Sequence, residues 1–354
     1  MIEIRNYKSV GDVKMRLGRV TVLIGPAASG KSNILEALAL ATYFDRYALY
    51  DGVEPLHKLI RTEEVDDLFT FHDLTRAVEI SLNASEWNKR LRLYFQKGLR
   101  LEVNNEQLPV VESPTQRHGN RLCLRGKKYY CLHTEGIKNL LEAVGDRVLG
   151  RFYGFDRFRG DVISGGRVGT PRDLLREDGM NIHVAAGRQL EVIRDINAEL
   201  QEFGRIEVKL LREGVVLFDN DVEMKPSAAS DSIYRVFYYL IGLASTVYFV
   251  KTNGLEGRTS ALLEEPEAQI FPRFFNLLVK YVATLSEVGY VVISTHSPVL
   301  VSMLRDKVDV TLYYVYRGER GLTEVAELDK DKLARELVTS LDLLFMKPRE
   351  ALRP

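Results

Sequence analysis

The 354-residue sequence predicts an α/β fold: a mostly parallel sheet covered by helices, with an N-terminal antiparallel β-subdomain and a small inserted basic lobe. Three observations carry that prediction. RVTVLIG is a short apolar strand running into a glycine-flanked loop and then the apolar helix pattern NILEALALATYF. The last third alternates helical runs (VFYYLIGLASTVYFV, FFNLLVKYVATL) with short all-apolar strands (SALLEE, YVVIST), the mark of strands buried on both faces. IEIRNYK, VKMRL, AVEISLN, RLRLYFQ and LRLEVNN instead alternate apolar and polar residues between turn residues, as half-buried antiparallel strands do.

The intervening elements follow the same logic. VAAGRQLEVIRDINAELQEFG has apolar residues three and four apart and predicts a long helix ending at Gly204. IEVKLLREGVVLF reads as a hairpin turning near Gly214. Residues 113–150 differ in composition and read as an inserted segment with a helix at GIKNLLEAV. Beyond residue 300, VTLYYVYRGERGLTEVAEL reads as a second hairpin, followed by one more helix. The organisation expected is one unit over 1–354. It comprises an N-terminal lobe (1–112), the insertion (113–150) and a helical and C-terminal lobe (151–354).

Composition narrows the function. Lys+Arg and Asp+Glu both number 49, so a basic coat over the whole surface is excluded, though a local patch is not. No uninterrupted apolar run reaches the ~18–20 residues of a membrane span, and MIEIRNYKSV lacks the apolar core of a secretory signal. A cytoplasmic location without membrane contact is expected. Cys123 and Cys131 are too few for a structural zinc site. They read as a buried thiol pair, with a disulfide as the alternative.

The chemistry concentrates in three motifs. Gly25-Pro26-Ala27-Ala28-Ser29-Gly30-Lys31-Ser32, followed by Asn33, fits G-x-x-x-x-G-K-[ST] between a strand and a helix. The glycines let backbone N–H groups curl around a phosphate, and the helix N-terminus adds positive dipole. Lys31 would reach the β- and γ-oxygens of ATP, and the Ser32 hydroxyl would ligate magnesium. LLEEPEAQIFP presents Glu264 and Glu265 at a strand end. By itself such a pair is as readily a solvated turn. Beside a phosphate loop, one acid suits a hydrated magnesium ion and its neighbour the attacking water. YVVISTHSP then places His296 at the carboxyl end of another apolar strand, where open α/β sheets bind ligands.

In this order IRNYKSV, GPAASGKSN, DGMNIHVAA, SAASDSI, LLEEPEAQIFP and ISTHSP resemble the P-loop ATPase heads of the ABC type, of the SMC/RecF class. They look most like stand-alone ATPases related to the ATPase domain of OLD-family nucleases. The resemblance implies that residues 25–33 and Lys8 bind ATP, that Ser32 and Glu264 hold magnesium, that Glu265 activates water and that His296 senses the γ-phosphate. It implies a homodimer formed on ATP binding, with Ser230-Asp231-Ser232 of one copy acting on the nucleotide of the other. The same three residues also read as a plain helix N-cap.

Three departures stand out. Ala27-Ala28 replace a common Asn-Gly, Ser232 stands where glycine is usual, and Gln269 and Phe271 replace frequent histidines. The resemblance therefore leaves two functions open. One is an ATP-hydrolysing dimeric switch in DNA repair or defence; the other is a nucleotide-binding regulatory scaffold with little hydrolysis.

Residues 89–128 carry ten Lys/Arg against three Glu, which suits either a DNA backbone or a solvated charged surface. Trp87, Tyr94 and Phe95 beside them read as core rather than as base-stacking platforms. The residues after ISTHSP are too few for a nuclease domain, so a nuclease or toxin under its control is expected to be a separate polypeptide.

Overall fold

A computed structural model describes residues 1–49, 60–84, 88–108, 110–113, 121–125, 128–133, 149–154, 174–211, 214–224 and 230–329. The N-terminal alternation becomes β1 (Ile2–Tyr7) and β2 (Val10–Met15), paired antiparallel with Ile4 opposite Val13. The buried run β3 (Val20–Ile24) leads through the glycine loop into α1 (Lys31–Leu49). An antiparallel meander follows: β4 (Val78–Asn83), β5 (Asn88–Phe95), β6 (Leu99–Val103) and β7 (Glu106–Leu108). The strands β8 (Val110–Ser113), β9 (Arg121–Arg125) and β10 (Tyr129–His133) form a separate small sheet. Its register sets Cys123 opposite Cys131. The state of those thiols, the helix expected at 136–144, Trp87 and the helix expected after residue 329 lie outside the described residues.

After β11 (Leu149–Gly154) come α2 (Ile182–Ala186) and α3 (Leu190–Leu200). The hairpin sheet β12 (Ile206–Leu211), β13 (Gly214–Asp219) and β14 (Val222–Met224) follows. The C-terminal part runs α4 (Asp231–Asn253), β15 (Thr259–Glu264), α5 (Phe275–Val288), β16 (Tyr290–Thr295), α6 (Pro298–Lys307), β17 (Val310–Arg317) and β18 (Thr323–Leu328). The single helix predicted up to Gly204 is instead two. The chain breaks at Gly187, a poor helix former, where the N–H groups of Arg188 and Gln189 bond three residues back to Ala185 and Ala186.

Twelve strands join in one sheet, ordered β11-β15-β16-β3-β17-β18-β2-β1-β4-β5-β6-β7. The first five are parallel. β18 turns back antiparallel on β17 and meets β2 through Thr323 and Val10. The antiparallel strands are thus the other half of the same sheet.

Period-two alternation splits the core between the two faces of the sheet. Val22, Leu263 and Ile293 join one cluster with Val236 and Leu240 of α4, Leu278 of α5 and Leu300 of α6. Leu23, Leu262 and Val292 join the other with Ile34 and Leu38 of α1. Coverage on both faces is why these strands carry no polar stripe. Helix α4 is long and apolar enough to cross a membrane, but 89% of that stretch is buried within the protein, and it serves as the core helix. It ends where Gly254 adopts φ +63° and closes the last turn onto the Val250 carbonyl.

Candidate functional site

The parallel register decides what meets what. β15, β16 and β3 are neighbours, with Glu264 opposite Ser294 and Thr295 opposite Ile24. Their carboxyl ends therefore bring Glu264 and Glu265, His296 and the loop from Gly25 to Ser32 to one edge of the sheet. Segments more than 230 residues apart in the chain meet there.

The glycines let the loop pack closely against the C-terminal hairpin. A Cβ on Gly25 would lie 2.0 Å from the Val315 carbonyl oxygen, and one on Gly30 (φ +104°) would lie 2.0 Å from the Thr323 hydroxyl. Only glycine fits at either position. Ala28 takes a left-handed conformation, φ +58°, where the resemblance leads one to expect glycine. The C-terminal hairpin holds the loop from outside. Arg317 Nε donates to the Ala28 carbonyl (2.8 Å) and the Thr323 hydroxyl to the Ser29 carbonyl (3.0 Å). Ser9 Oγ lies 2.7 Å from Thr323 Oγ1 and accepts from Asn33 Nδ2, also at 2.7 Å.

Lys31 is buried, only 4% exposed, with its ammonium donating to the carbonyls of Gly25 (3.0 Å) and Pro26 (2.9 Å). Burial pushes its pKa down to about 8, against the pull of Glu265, Glu267 and Glu264. The ammonium thus rests on the two carbonyls at the mouth of the loop.

Glu265, at φ +42°, sits with its carboxylate 3.4 Å from His296 Nε2. The hydrogen bond from His296 holds the Glu265 carboxyl below the usual range, outweighing partial burial. Glu264 is buried, and its backbone carbonyl accepts from the Tyr239 hydroxyl on α4 (2.9 Å). Its carboxylate is bonded by the guanidinium of Arg61, which also lies 3.4 Å from Glu36 Oε1. Lys8, expected at the nucleotide, has its ammonium 2.5 Å from Glu36 and 2.5 Å from the Arg61 carbonyl. Glu36, 1% exposed, is therefore the buried centre of a Lys8–Glu36–Arg61–Glu264 chain beside the loop.

Ser230 starts α4 without a side-chain cap bond, and Ser232 Oγ accepts from the Phe271 N–H (2.9 Å). The serine that stands for glycine thus ties the start of α4 to the segment behind the acid pair.

Ser32 and Glu264 carry hard oxygen donors of the kind magnesium prefers, and the Glu264 carboxylate, held here by the Arg61 guanidinium, would have to exchange that partner for the metal. Arg61, Glu36, Glu267, Tyr239, Ser9, Thr323 and Arg317 escape the sequence reading. Only Glu267 and Ser9 stand inside motifs singled out in the sequence, LLEEPEAQIFP and IRNYKSV.

In the 89–128 stretch, Arg90 and Arg92 lie 4.0 and 3.4 Å from Glu79, and Arg92 lies 3.7 Å from Glu102. Lys128 pairs with Glu112 at 2.9 Å, and Lys89 is buried. Arg90, Arg92 and Lys128 are thus matched by acids across strands.

No family model matches the chain, and no curated protein is significantly similar to it in sequence. Solved structures are. An Smc head bound to the C-winged helix domain of ScpA superposes with TM-score 0.56 at 16% identity, covering 94% of this chain and 98% of that one. A second Smc head, with an extended coiled coil and bound to the C-terminal domain of ScpA derived from Pyrococcus furiosus, gives 0.54 at 13% identity, covering 95% and 97%. The fold is that of an Smc head. It is an α/β architecture, and at such identities the likeness is one of fold alone. The expected fold class is borne out at that level.

Proposed function

We propose that the chain is a magnesium-dependent ATPase head that pairs with a second copy of itself around ATP and switches a partner. The observation that carries this reading is the meeting of Lys31, Glu265 and His296 at adjacent strand ends. In this reading the N–H groups of residues 25–32 hold the phosphates, and Lys31 exchanges the Gly25 and Pro26 carbonyls for phosphate oxygens. Ser32 and Glu264 hold magnesium, which when bound neutralises charge building on those oxygens. Glu265, ionised and oriented by His296, accepts a proton from the attacking water. Ser230, Asp231 and Ser232 of one copy face the nucleotide of the other, offering the start of α4.

The motifs resemble those of OLD-related stand-alone ATPases, which favours a role in repair or defence with a separate nuclease or toxin subunit. DNA contact through 89–128 would fall mainly to Lys97, Arg100 and Arg125, which make no ion pair among the described residues. Glu265→Gln is the test. With ATP and magnesium it should accumulate as a species of doubled mass in size-exclusion light scattering. A mutant that stays monomeric at high concentration would remove the paired head.

A second reading, a scaffold that binds nucleotide with little hydrolysis, is favoured by the engaged Ser232 hydroxyl and by Arg61 on Glu264. Phosphate release by wild type that Lys31→Ala abolishes excludes it.

A further inference from the structure

Glu267 is a half-buried residue with a carboxylate oxygen shut away from solvent, and ATP binding and water activation leave it no role. It follows Glu265 by two residues, at the turn leaving β15, but its carboxylate reaches across to the other strand end. Its Oε1 accepts from the Thr295 hydroxyl (2.6 Å) and from the His296 backbone N–H (2.9 Å). The Thr295 hydroxyl in turn accepts from the Ser297 N–H (2.8 Å), and Ser297 Oγ caps α6 by accepting from the Leu300 N–H (3.2 Å). One oxygen therefore anchors the whole turn from β16 into α6 that carries His296. The second oxygen, Oε2, is buried with no hydrogen-bond partner.

This arrangement is costly unless something requires it. A carboxylate with one oxygen shut away and unsatisfied loses hydration that the hydrogen bonds to its other oxygen only partly restore. Burial raises the Glu267 pKa accordingly, despite those bonds. The charged groups around it are Lys31 of the loop after β3 and Glu265 on its own turn, while His296 on the facing turn meets it through the backbone N–H.

We infer that Glu267 is a positioning residue for hydrolysis: it clamps the Thr295–His296 turn so that the His296 side chain stays aimed at Glu265. This inference rests on the proposed ATPase reading. Glu265 reaches His296 through the side chain, at 3.4 Å, and Glu267 reaches it through the backbone. The histidine is held from two points of one acidic turn, so a shift of that turn moves water-activating acid and histidine together. Glu267 itself touches neither phosphate nor water.

The test compares Glu267→Ala, Glu267→Gln and His296→Ala, and the Glu267→Ala/His296→Ala double variant, in the full chain. Steady-state phosphate release gives kcat and KM. Selective ¹⁵N-histidine labelling, with six histidines in the chain, gives the His296 amide signal without need of turnover. Glu267→Ala should lower kcat by about 10- to 100-fold, as expected for a misplaced reacting group, with KM for ATP within about twofold. It should shift the His296 amide and should add nothing to the loss in the His296→Ala background.

Glu267→Gln keeps a carbonyl acceptor for both donors and should hold kcat within about threefold of wild type. It also keeps the test decisive if the alanine variant fails to fold. Unchanged kcat in Glu267→Ala, losses that multiply with those of His296→Ala, or a glutamine variant as inactive as the alanine one would each overturn the role. If wild type releases no phosphate, the ATPase reading falls and Glu267's part in hydrolysis falls with it. The amide then decides the clamp by itself: a signal unmoved in Glu267→Ala overturns that too.

Discussion

The lysine of the phosphate loop makes a sharp prediction about pH. Without nucleotide, Lys31 is buried and its pKa is about 8, where an ordinary lysine stands at 10.5. A triphosphate brings several negative oxygens to the ammonium and returns it to the charged form throughout the working range. Binding above pH 8 must therefore take up a proton. The apparent Kd scales with one plus the ratio of neutral to charged lysine, so raising pH from 8 to 9 should weaken binding about fivefold.

Isothermal titration with a nonhydrolysable ATP analogue, at pH 9 in buffers of different ionisation enthalpy, measures the proton directly. About 0.9 proton should be taken up per site. The sign for folding agrees. A depressed lysine pKa means the unfolded chain binds more protons between about 8 and 10.5, so the nucleotide-free protein gains stability as pH rises through that window. A Kd that is flat from pH 8 to 9, with no proton uptake, would show that Lys31 is not desolvated and would refute the reasoning.

Two further predictions concern the frame of the site. Ala28→Gly relieves a left-handed alanine, worth ~1–2 kcal/mol, against ~0.4–1 kcal/mol of added freedom in the unfolded chain. A net gain of about 0.5–1 kcal/mol should appear as a small rise in Tm by calorimetry, and a fall would mean the loop does not hold the φ of +58°. Arg61→Ala leaves the carboxylates of Glu36 and Glu264 without the guanidinium that joins them, which should cost about 1–3 kcal/mol in urea unfolding. Added magnesium should recover part of that loss if Glu264 is a metal ligand. Equal loss with and without the metal counts against that role.

Some of this was written in short stretches of chain. The strand–glycine loop–helix unit at 20–49 was legible because its signals are local: an apolar run, two glycines, then a helical period. The all-apolar β15 and β16 announced strands covered on both faces, and the acids and histidine at their ends followed from where such strands bind ligands. The long helix before Gly204 was misread, because the apolar period continues across Gly187 while the backbone does not. The basic excess at 89–128 was visible, but its matching to Glu79 and Glu102 was not, since cross-strand neighbours depend on register.

Sequence alone therefore determined which candidate groups the chain carries: a glycine loop ending in Lys31 and Ser32, a pair of acids and a histidine, each on a recognisable local element. Tertiary structure decided how those groups are held. Arg61 on Glu264, Thr323 on the phosphate loop and Glu267 under His296 join residues 203, 294 and 29 positions apart. Hydrogen bonds across such distances are set by which strands become neighbours in the sheet, and no periodicity in a one-dimensional string encodes that choice.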